Sequence, residues 1–212
     1  MKRPQTGFTL IEMAIVLIIV GLLLGGVLKG QSLITQGKIR STARDLDTIA
    51  VAMLSYQDRY QQLPGDDAAT ISRWNLAAGD GDGKLEGVFN SSTDTDESRK
   101  LWRHLRQSGF ISGAADSPAQ PRNALGGITG LQTDVGNTGG TNATTELTGL
   151  VVCTDNLPGS IANALDTQFD DGLPNKGSVR AFDQAATDPL AGAAASAYTD
   201  DGAHRYILCR SV

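Results

Sequence analysis

The sequence is poor in aromatic residues, histidine and cysteine. Aromatic residues make up 5% of the 212 residues while glycine occurs 25 times, so we expect a modest core wrapped in many turns. The two histidines, His104 and His204, are far apart and do not by themselves make a triad or metal site. A phosphate-binding loop, a GxSxG elbow and an HExxH motif are missing from the sequence, as is any repeat of 20–50 residues. We therefore predict a non-enzymatic protein that requires no cofactor.

The chain has fewer basic than acidic residues, 18 against 23. Its formal net charge is −5, so it has no bulk attraction for nucleic acid or for anionic membrane surfaces. Arg99, Arg103 and Arg106 follow helical spacing and are the one candidate stripe for a polyanion. Because acids lie close by and no aromatic residues interleave, we interpret the stripe as a solvated helix face. Nucleic acid is not an expected partner.

The most prominent feature that the sequence does have is an apolar run near its N-terminus. The run extends from Phe8 to Leu28 and is broken only by Thr9, Glu12 and glycines. As a helix it spans roughly 30 Å, the thickness of a bilayer core, and it predicts one transmembrane helix. A cleaved secretory signal is the alternative, but its apolar core is usually shorter and ends in an A-x-A-like site. Basic residues lie on both sides of the run, so charge alone leaves its orientation open.

Glu12 is the exceptional residue in this run. A carboxylate in an apolar helix costs on the order of 2–3 kcal/mol at the membrane midplane and less near an end. One interpretation is a glutamate near the interface whose side chain reaches water. The other is a carboxylate that meets a cation during assembly.

The residues around Glu12 form a known motif. The segment Gly7-Phe8-Thr9-Leu10-Ile11-Glu12, preceded by a short basic leader and followed by the apolar run, resembles the cleavage and methylation motif of type IV prepilins and type II secretion pseudopilins. The resemblance implies cleavage after Gly7 by a membrane prepilin peptidase and N-methylation of Phe8. It also implies that Glu12 meets the N-terminal amine of a neighbouring subunit, so that a buried charge pair satisfies both groups.

The resemblance also implies a location and partners. We expect a single-pass protein of the bacterial inner membrane with its head in the periplasm, surrounded by lipid before assembly. An inner-membrane assembly platform would add it to a homo- or hetero-polymer of pilin subunits. A type IV pilus subunit is the expected function, and a pseudopilin of a periplasmic type II secretion pseudopilus is the alternative. A different class of protein, a membrane-anchored periplasmic binding protein that is never cleaved and never polymerises, also stays open.

The fold class follows from the pattern after the apolar run. Apolar residues recur at spacings of three and four from Ile39 to Tyr60, which predicts one helix from about Thr9 to Gln61 that ends before Leu63-Pro64-Gly65. We expect an α+β protein whose long helix packs on a small antiparallel sheet with long loops. The predicted divisions are a leader (1–7), a transmembrane and assembly helix (8–29), an amphipathic helix half (30–62) and an extracytoplasmic pilin-like head (63–212).

Several shorter elements are predicted in the head. Asp94, followed three residues later by Glu97, predicts a helix N-cap, and Gly109 the end of that helix. A second helix fits the spacing of Ile161, Leu165 and Phe169. The strand candidates are 128–131, 150–153, 178–182 and 205–209.

The two cysteines, Cys153 and Cys209, lie in short apolar runs. No CxxC spacing suggests a metal site. In an exported protein we expect them to form a disulfide, which chain entropy predicts to stabilise the fold by about 4 kcal/mol. In a cytosolic protein they would be two buried free thiols. The pair resembles the C-terminal disulfide region of type IV pilins.

Two acidic turns are candidate cation sites. The segment 80–86 (DGDGKLE) resembles half of a calcium loop, because alternating acids on a glycine-bent backbone can converge on a hard cation. An EF-hand would need ligands where Ala78 and Phe89 stand, so that motif is excluded. A looser calcium site competes with a solvated Asp-Gly turn. The second segment, 169–175 with its acids at 170–171, is a turn or a source of ligands, and we interpret it as a plain turn. The ligands of the looser site would be Asp80, Asp82 and Glu86.

Overall fold

The computed structural model describes residues 7–135, 147–185, 190 and 194–212. Within these residues the chain forms helices and strands in an α+β arrangement, as predicted. In chain order they are α1 (Leu10–Tyr60), α2 (Thr70–Trp74), α3 (Glu97–Gln107), β1 (Thr129–Val135), β2 (Leu147–Pro158), α4 (Gly159–Phe169), β3 (Val179–Asp183) and β4 (Arg205–Ser211).

Helix α1 is long because nothing in its sequence interrupts it. No proline occurs between its first and last residues, so the backbone hydrogen-bond ladder continues for 51 residues. It ends where Gln61 adopts a positive φ of 55° and Pro64 follows shortly after. The predicted extent, Thr9 to Gln61, is confirmed.

The chain divides into two compact units, Met1–Lys38 and Ile39–Val212. In the first unit the described residues form the N-terminal part of α1, and every one of them is exposed except Gly30, which is half-buried. In the second unit the remaining part of α1 is amphipathic. One face of it is buried at spacings of three and four, by Thr42, Ala43, Leu46, Ile49, Ala52, Met53 and Tyr56.

The second unit is organised around an antiparallel sheet of the order β1-β2-β4-β3. The central pair, β2 and β4, brings Cys153 directly opposite Cys209. The two residues form a disulfide, with their Cα atoms 4.0 Å apart. The bridge therefore ties the last strand of the chain to a strand that lies 56 residues earlier.

Both faces of the sheet are covered, which follows from the two-residue period of side chains along a strand. Val152 and Leu208 belong to the larger core, which also contains residues of α1, α3 and α4. Val151 and Ile207, their chain neighbours, point to the other face and join a smaller cluster around Phe89 and the disulfide. The long loops thus cover the second face of the sheet.

Most predicted elements of the head are confirmed, with four differences. The strand predicted at 128–131 is β1 and extends from Thr129 to Val135. The strand predicted at 150–153 extends from Leu147 to Pro158, past a register shift between Thr154 and Leu157. Helix α2 was not predicted. Helix α3 begins at Glu97 after Asp96, so the predicted N-cap at Asp94 is wrong, because the Asp94 carboxylate forms an ion pair with Arg99 instead.

Candidate processing and assembly site

The chain is open around the predicted cleavage bond. Phe8 is 86% exposed, and a Cβ placed on Gly7 would have no atom of the described chain within 4 Å. Neither residue belongs to α1, which begins at Leu10. The Gly7–Phe8 peptide bond thus lies outside the helix, and glycine presents no side chain to obstruct a protease.

Glu12 and Thr9 together form a capping box at the start of α1. The backbone N–H and the hydroxyl of Thr9 both donate to Glu12 Oε2, at 2.8 and 2.7 Å. In return the Glu12 N–H donates to Thr9 Oγ1 at 3.3 Å. These bonds satisfy amide groups that the first turn of a helix leaves without partners. Glu12 thus has a partner within its own chain, one that the sequence analysis did not identify although T-x-x-E is a capping-box pattern.

The surface that follows Glu12 is apolar all round. An 18-residue window of α1 has a mean hydropathy of 2.7, and none of it is buried in the described structure. By its length and composition alone, the helix is long and apolar enough to cross a membrane. Glycines at 21, 25, 26 and 30 leave two small-xxx-small pairs on this surface. Such pairs let other helices approach closely in lipid.

In the second unit, the loop between α2 and α3 is held by a buried carboxylate. Asp66 accepts backbone N–H bonds from Gly81, Asp82 and Gly83, at distances of 2.5–3.1 Å. Burial raises the pKa of Asp66 although these three bonds oppose the shift. Gly81 and Gly83 have φ values of 81° and 88°, which a residue with a side chain adopts only under strain. This turn therefore requires glycine at positions 81 and 83, whether or not the loop binds calcium.

The candidate cation ligands fall into two overlapping groups. Carboxylate oxygens of Asp80, Glu86 and Glu97 lie within 4.8 Å of one another, and those of Asp66, Asp80 and Asp82 do so as well. The structure thus separates Asp82 from Glu86 and adds Glu97, which the sequence analysis assigned to a helix start. Burial and the neighbouring Glu86 carboxylate raise the pKa of Glu97 to about 7.

A third acidic group lies at the end of α4 and is part of a turn. The carboxylate of Asp170 accepts backbone N–H bonds from Ser178 and Val179, which closes the turn before β3. Asp166 is buried and accepts the Tyr198 hydroxyl at 2.6 Å. These partners agree with the interpretation of segment 169–175 as a turn.

His104 is fully buried, which the sequence analysis did not predict. Its Nδ1 accepts the Gly65 N–H at 2.8 Å, so Nε2 carries the proton and donates to the Ala77 carbonyl at 2.9 Å. Burial lowers the pKa of His104. The ring connects α3 to the loops on both sides of α2. Its position three residues after Leu101, on the apolar face of α3, was the signal for burial.

The arginine side chains of α3 bind groups of the second unit itself. Arg99 pairs with Asp94 at 2.9 Å, whereas Arg103 and Arg106 donate to backbone carbonyls of residues 116–119 at 2.6–2.9 Å. The expectation of a solvated face is wrong in this respect, because the guanidinium groups hold the loop that follows α3. A backbone segment offers acceptors that no sequence pattern reveals.

The N-terminal geometry agrees with a family match. Residues 2–28 match the family described as the prokaryotic N-terminal methylation motif, the prepilin motif of type IV pilins and pseudopilins. The matched range includes Gly7, Phe8 and Glu12 together with the apolar run. No curated protein matches the chain.

Proposed function

We propose that this chain, which is of the type IV pilin and pseudopilin class, is a structural subunit of a type IV pilus. The observation that carries the proposal is the methylation motif joined to a helix surface that is apolar all round and exposed in the chain. Exposed apolar surface of this extent needs lipid or other protein to cover it. In the membrane, lipid would cover this surface. In a filament, the helices of other subunits would cover it instead.

Processing prepares the helix for this exchange. Hydrolysis of the Gly7–Phe8 bond by a prepilin peptidase releases the leader with Lys2 and Arg3, and it leaves a free ammonium group on Phe8. N-methylation of Phe8 keeps that positive charge. The new ammonium is the cation that the carboxylate of Glu12 from an adjacent subunit can bind, and in an apolar environment each group satisfies the other.

The capping box gives Glu12 a defined position before it meets that cation. Thr9 fixes the carboxylate at the first turn of α1, at the same end of the helix as the new N-terminus. Because a carboxylate has two oxygens and about four acceptor positions, Glu12 can bind an ammonium through Oε1 while Oε2 keeps Thr9. Recruitment of a neighbour therefore does not require the helix start to unfold.

The disulfide supports an extracytoplasmic head and favours the pilus over the secretion pseudopilus. Disulfides persist in the periplasm and outside the cell and are rare in the cytosol. A bridge between the last strand and a central strand protects the end of the chain in a filament exposed to the medium. We place the subunit in the inner membrane with its head in the periplasm, and then in a surface filament built with other subunits on an inner-membrane platform.

The test combines the mass of the mature chain with its incorporation into filaments. Mass spectrometry is expected to show the loss of residues 1–7 and one added methyl group on Phe8. Electron microscopy and immunoblotting of sheared surface filaments are expected to find the protein in wild type and to find it lost in Glu12→Ala and in Glu12→Gln. Glu12→Gln keeps an acceptor for Thr9 and removes only the charge. Asp58→Asn, an exposed carboxylate on the same helix, is the matched control and is expected to incorporate normally.

Three other outcomes would each lead to a different interpretation of the chain or of Glu12. Recovery of the chain with Met1 through Gly7 attached, always as single molecules, would contradict the proposal and indicate an anchored binding protein. A mature, methylated chain that supports secretion but forms no surface filament would indicate a pseudopilin. Normal incorporation of Glu12→Gln would reduce Glu12 to a helix cap.

A further inference from the structure

A buried carboxylate oxygen at the start of α3 has no hydrogen-bond donor in the described part of the chain. Glu97 is 4% exposed, and its Oε1 accepts the Asp80 N–H at 3.1 Å. Its Oε2 has no hydrogen-bond partner among the residues that the structure describes. A buried polar atom without a partner is costly, and native structures leave few of them. The Glu86 carboxylate lies within hydrogen-bond reach of Glu97, and two carboxylates are both acceptors, so the pair needs either a shared proton or a cation.

The surroundings of Glu97 indicate the charge of a ligand bound there. Asp80 and Glu86 are exposed, and one carboxylate oxygen of each lies within 4.8 Å of an oxygen of Glu97. Three carboxylates at this distance repel one another, and a hard cation that takes only oxygen ligands relieves the repulsion. The exposed side of the group leaves room for water to complete the coordination.

The backbone holds these three residues in place by contacts that do not involve a cation. Asp66 fixes the turn after Asp80, and the Glu86 carbonyl accepts the Ser98 N–H at 3.0 Å. Gly79 passes so close to the Asp66 backbone and to Glu97 Oε1 that no side chain fits there. A site arranged in advance loses less entropy when it binds its ligand.

We propose that Asp80, Glu86 and Glu97 bind one Ca²⁺, which links the 80–86 loop to the first turn of α3. Ca²⁺ accepts six to eight oxygens in irregular geometry, including mono- and bidentate carboxylates and water, whereas Mg²⁺ requires near-ideal octahedral geometry. One carboxylate from a helix and two from a loop, open to water on one side, fit the first description. The site differs from the one that the sequence pattern suggested, because Glu97 takes the place of Asp82.

The test uses the full chain in detergent micelles, treated with chelator and then supplied with CaCl₂ or MgCl₂. Equilibrium dialysis with radioactive calcium is expected to give one bound Ca²⁺ per chain. A hundredfold excess of free Ca²⁺ over Kd is expected to raise Tm by about 5 °C. Glu97→Gln and Glu86→Gln are each expected to weaken Kd at least about tenfold. Asp171→Asn removes a carboxylate from the acidic turn after α4 as the matched control, and we expect it to bind like wild type.

Four results would overturn the proposal. These are the absence of calcium binding to wild type, unchanged Kd in Glu86→Gln, loss of binding in Asp171→Asn alone, and an equal Tm increase with MgCl₂. Glu86 is exposed, so Glu86→Gln decides the question even if Glu97→Gln does not fold. If the Glu97 carboxyl is instead satisfied by a proton shared with Glu86, wild type will bind no Ca²⁺.

Discussion

The two units of this chain contain similar apolar residues, which are exposed in the first unit and mostly buried in the second. In the first unit the large apolar side chains from Leu10 to Leu28 are 45–89% exposed. In the second unit leucines such as Leu46, Leu101 and Leu208 are fully buried. The chain itself covers these three leucines, whereas the leucines of residues 10–28 stay exposed unless another molecule covers them. The first unit thus presents apolar surface for another molecule to cover, and the second unit contains the buried core of the described structure.

The comparison shows that the arrangement of apolar residues, more than their number, indicates what will cover them. Residues 13–28, which follow Glu12, are apolar on all sides of the helix, a pattern that suits lipid or several neighbouring helices. From Ile39 onward the apolar positions form one stripe, which a single packed surface can cover. One helix therefore carries both kinds of surface in succession.

The largest effect that separates the two units is expected from a pair of identical substitutions. Leu101→Ala removes a fully buried side chain of α3 and is expected to lower the free energy of unfolding by about 2–5 kcal/mol. Leu17→Ala removes a side chain that is 68% exposed and is expected to leave that free energy unchanged. Urea unfolding of the full chain in micelles, followed by the fluorescence of buried Trp102, measures both.

A second substitution in the first unit tests the opposite case, in which membrane anchoring changes and unfolding does not. Leu17→Arg places a charge within the apolar run and is expected to reduce membrane anchoring, at a cost of about 3 kcal/mol, while the unfolding of the second unit stays unchanged. Equal losses of unfolding free energy in Leu101→Ala and Leu17→Ala would show that the first unit supports the core, and the comparison would fail.

A smaller effect is expected from pH and belongs to the second unit alone. Burial lowers the pKa of His104, so the unfolded chain binds a proton near pH 6.5 when the folded chain does not. The contribution of His104 to stability is complete above about pH 7 and is lost as pH falls through the lowered pKa, by up to about 1.4 kcal/mol per pH unit. His104→Gln removes this dependence and keeps one donor and one acceptor for the loop groups.

The measurement is the difference in unfolding free energy between wild type and His104→Gln from pH 8 to pH 5, with chelator present. The difference is needed because Glu97, whose pKa is raised to about 7, acts with the opposite sign in the same range. We expect the advantage of wild type to shrink as pH falls. His204→Gln removes an exposed histidine and is the control; a similar curve for both variants would contradict the assignment to His104.

Much of the fold was predictable because it depends on local patterns. The span of α1 follows from its apolar spacing and from Pro64, and each of the four strands overlaps one of the predicted strand segments. The α+β class and the motif around Gly7 were predictable for the same reason. A continuous pattern in the sequence produces each of these features.

The parts that could not be predicted depend on partners distant in the chain. Asp94 was expected to cap α3, but its carboxylate meets Arg99, and the helix begins at Glu97 without a side-chain cap bond. Glu97 accepts the Asp80 N–H, and Asp66 accepts the N–H of the next residue, Gly81. The contact between Glu97 and Asp80 therefore depends on a loop held by a third, distant residue. Sequence spacing reports which residues share a helix face, and it does not report which loop will close over a carboxylate.

The smallest effect is expected at the start of α1, where the comparison can be made sharper. Thr9→Ala removes the hydroxyl of the capping box, and the loss of an N-cap costs about 1 kcal/mol. The first turn should then open more often, so hydrogen exchange of the Glu12 and Met13 amides, which donate to Thr9, should accelerate about fivefold, while exchange in residues 39–212 stays the same. Thr9→Ser keeps the hydroxyl and should exchange like wild type. If the acceleration spread into residues 39–212, the first unit would not be an independent interface, because a change confined to its free end would then be transmitted to the core.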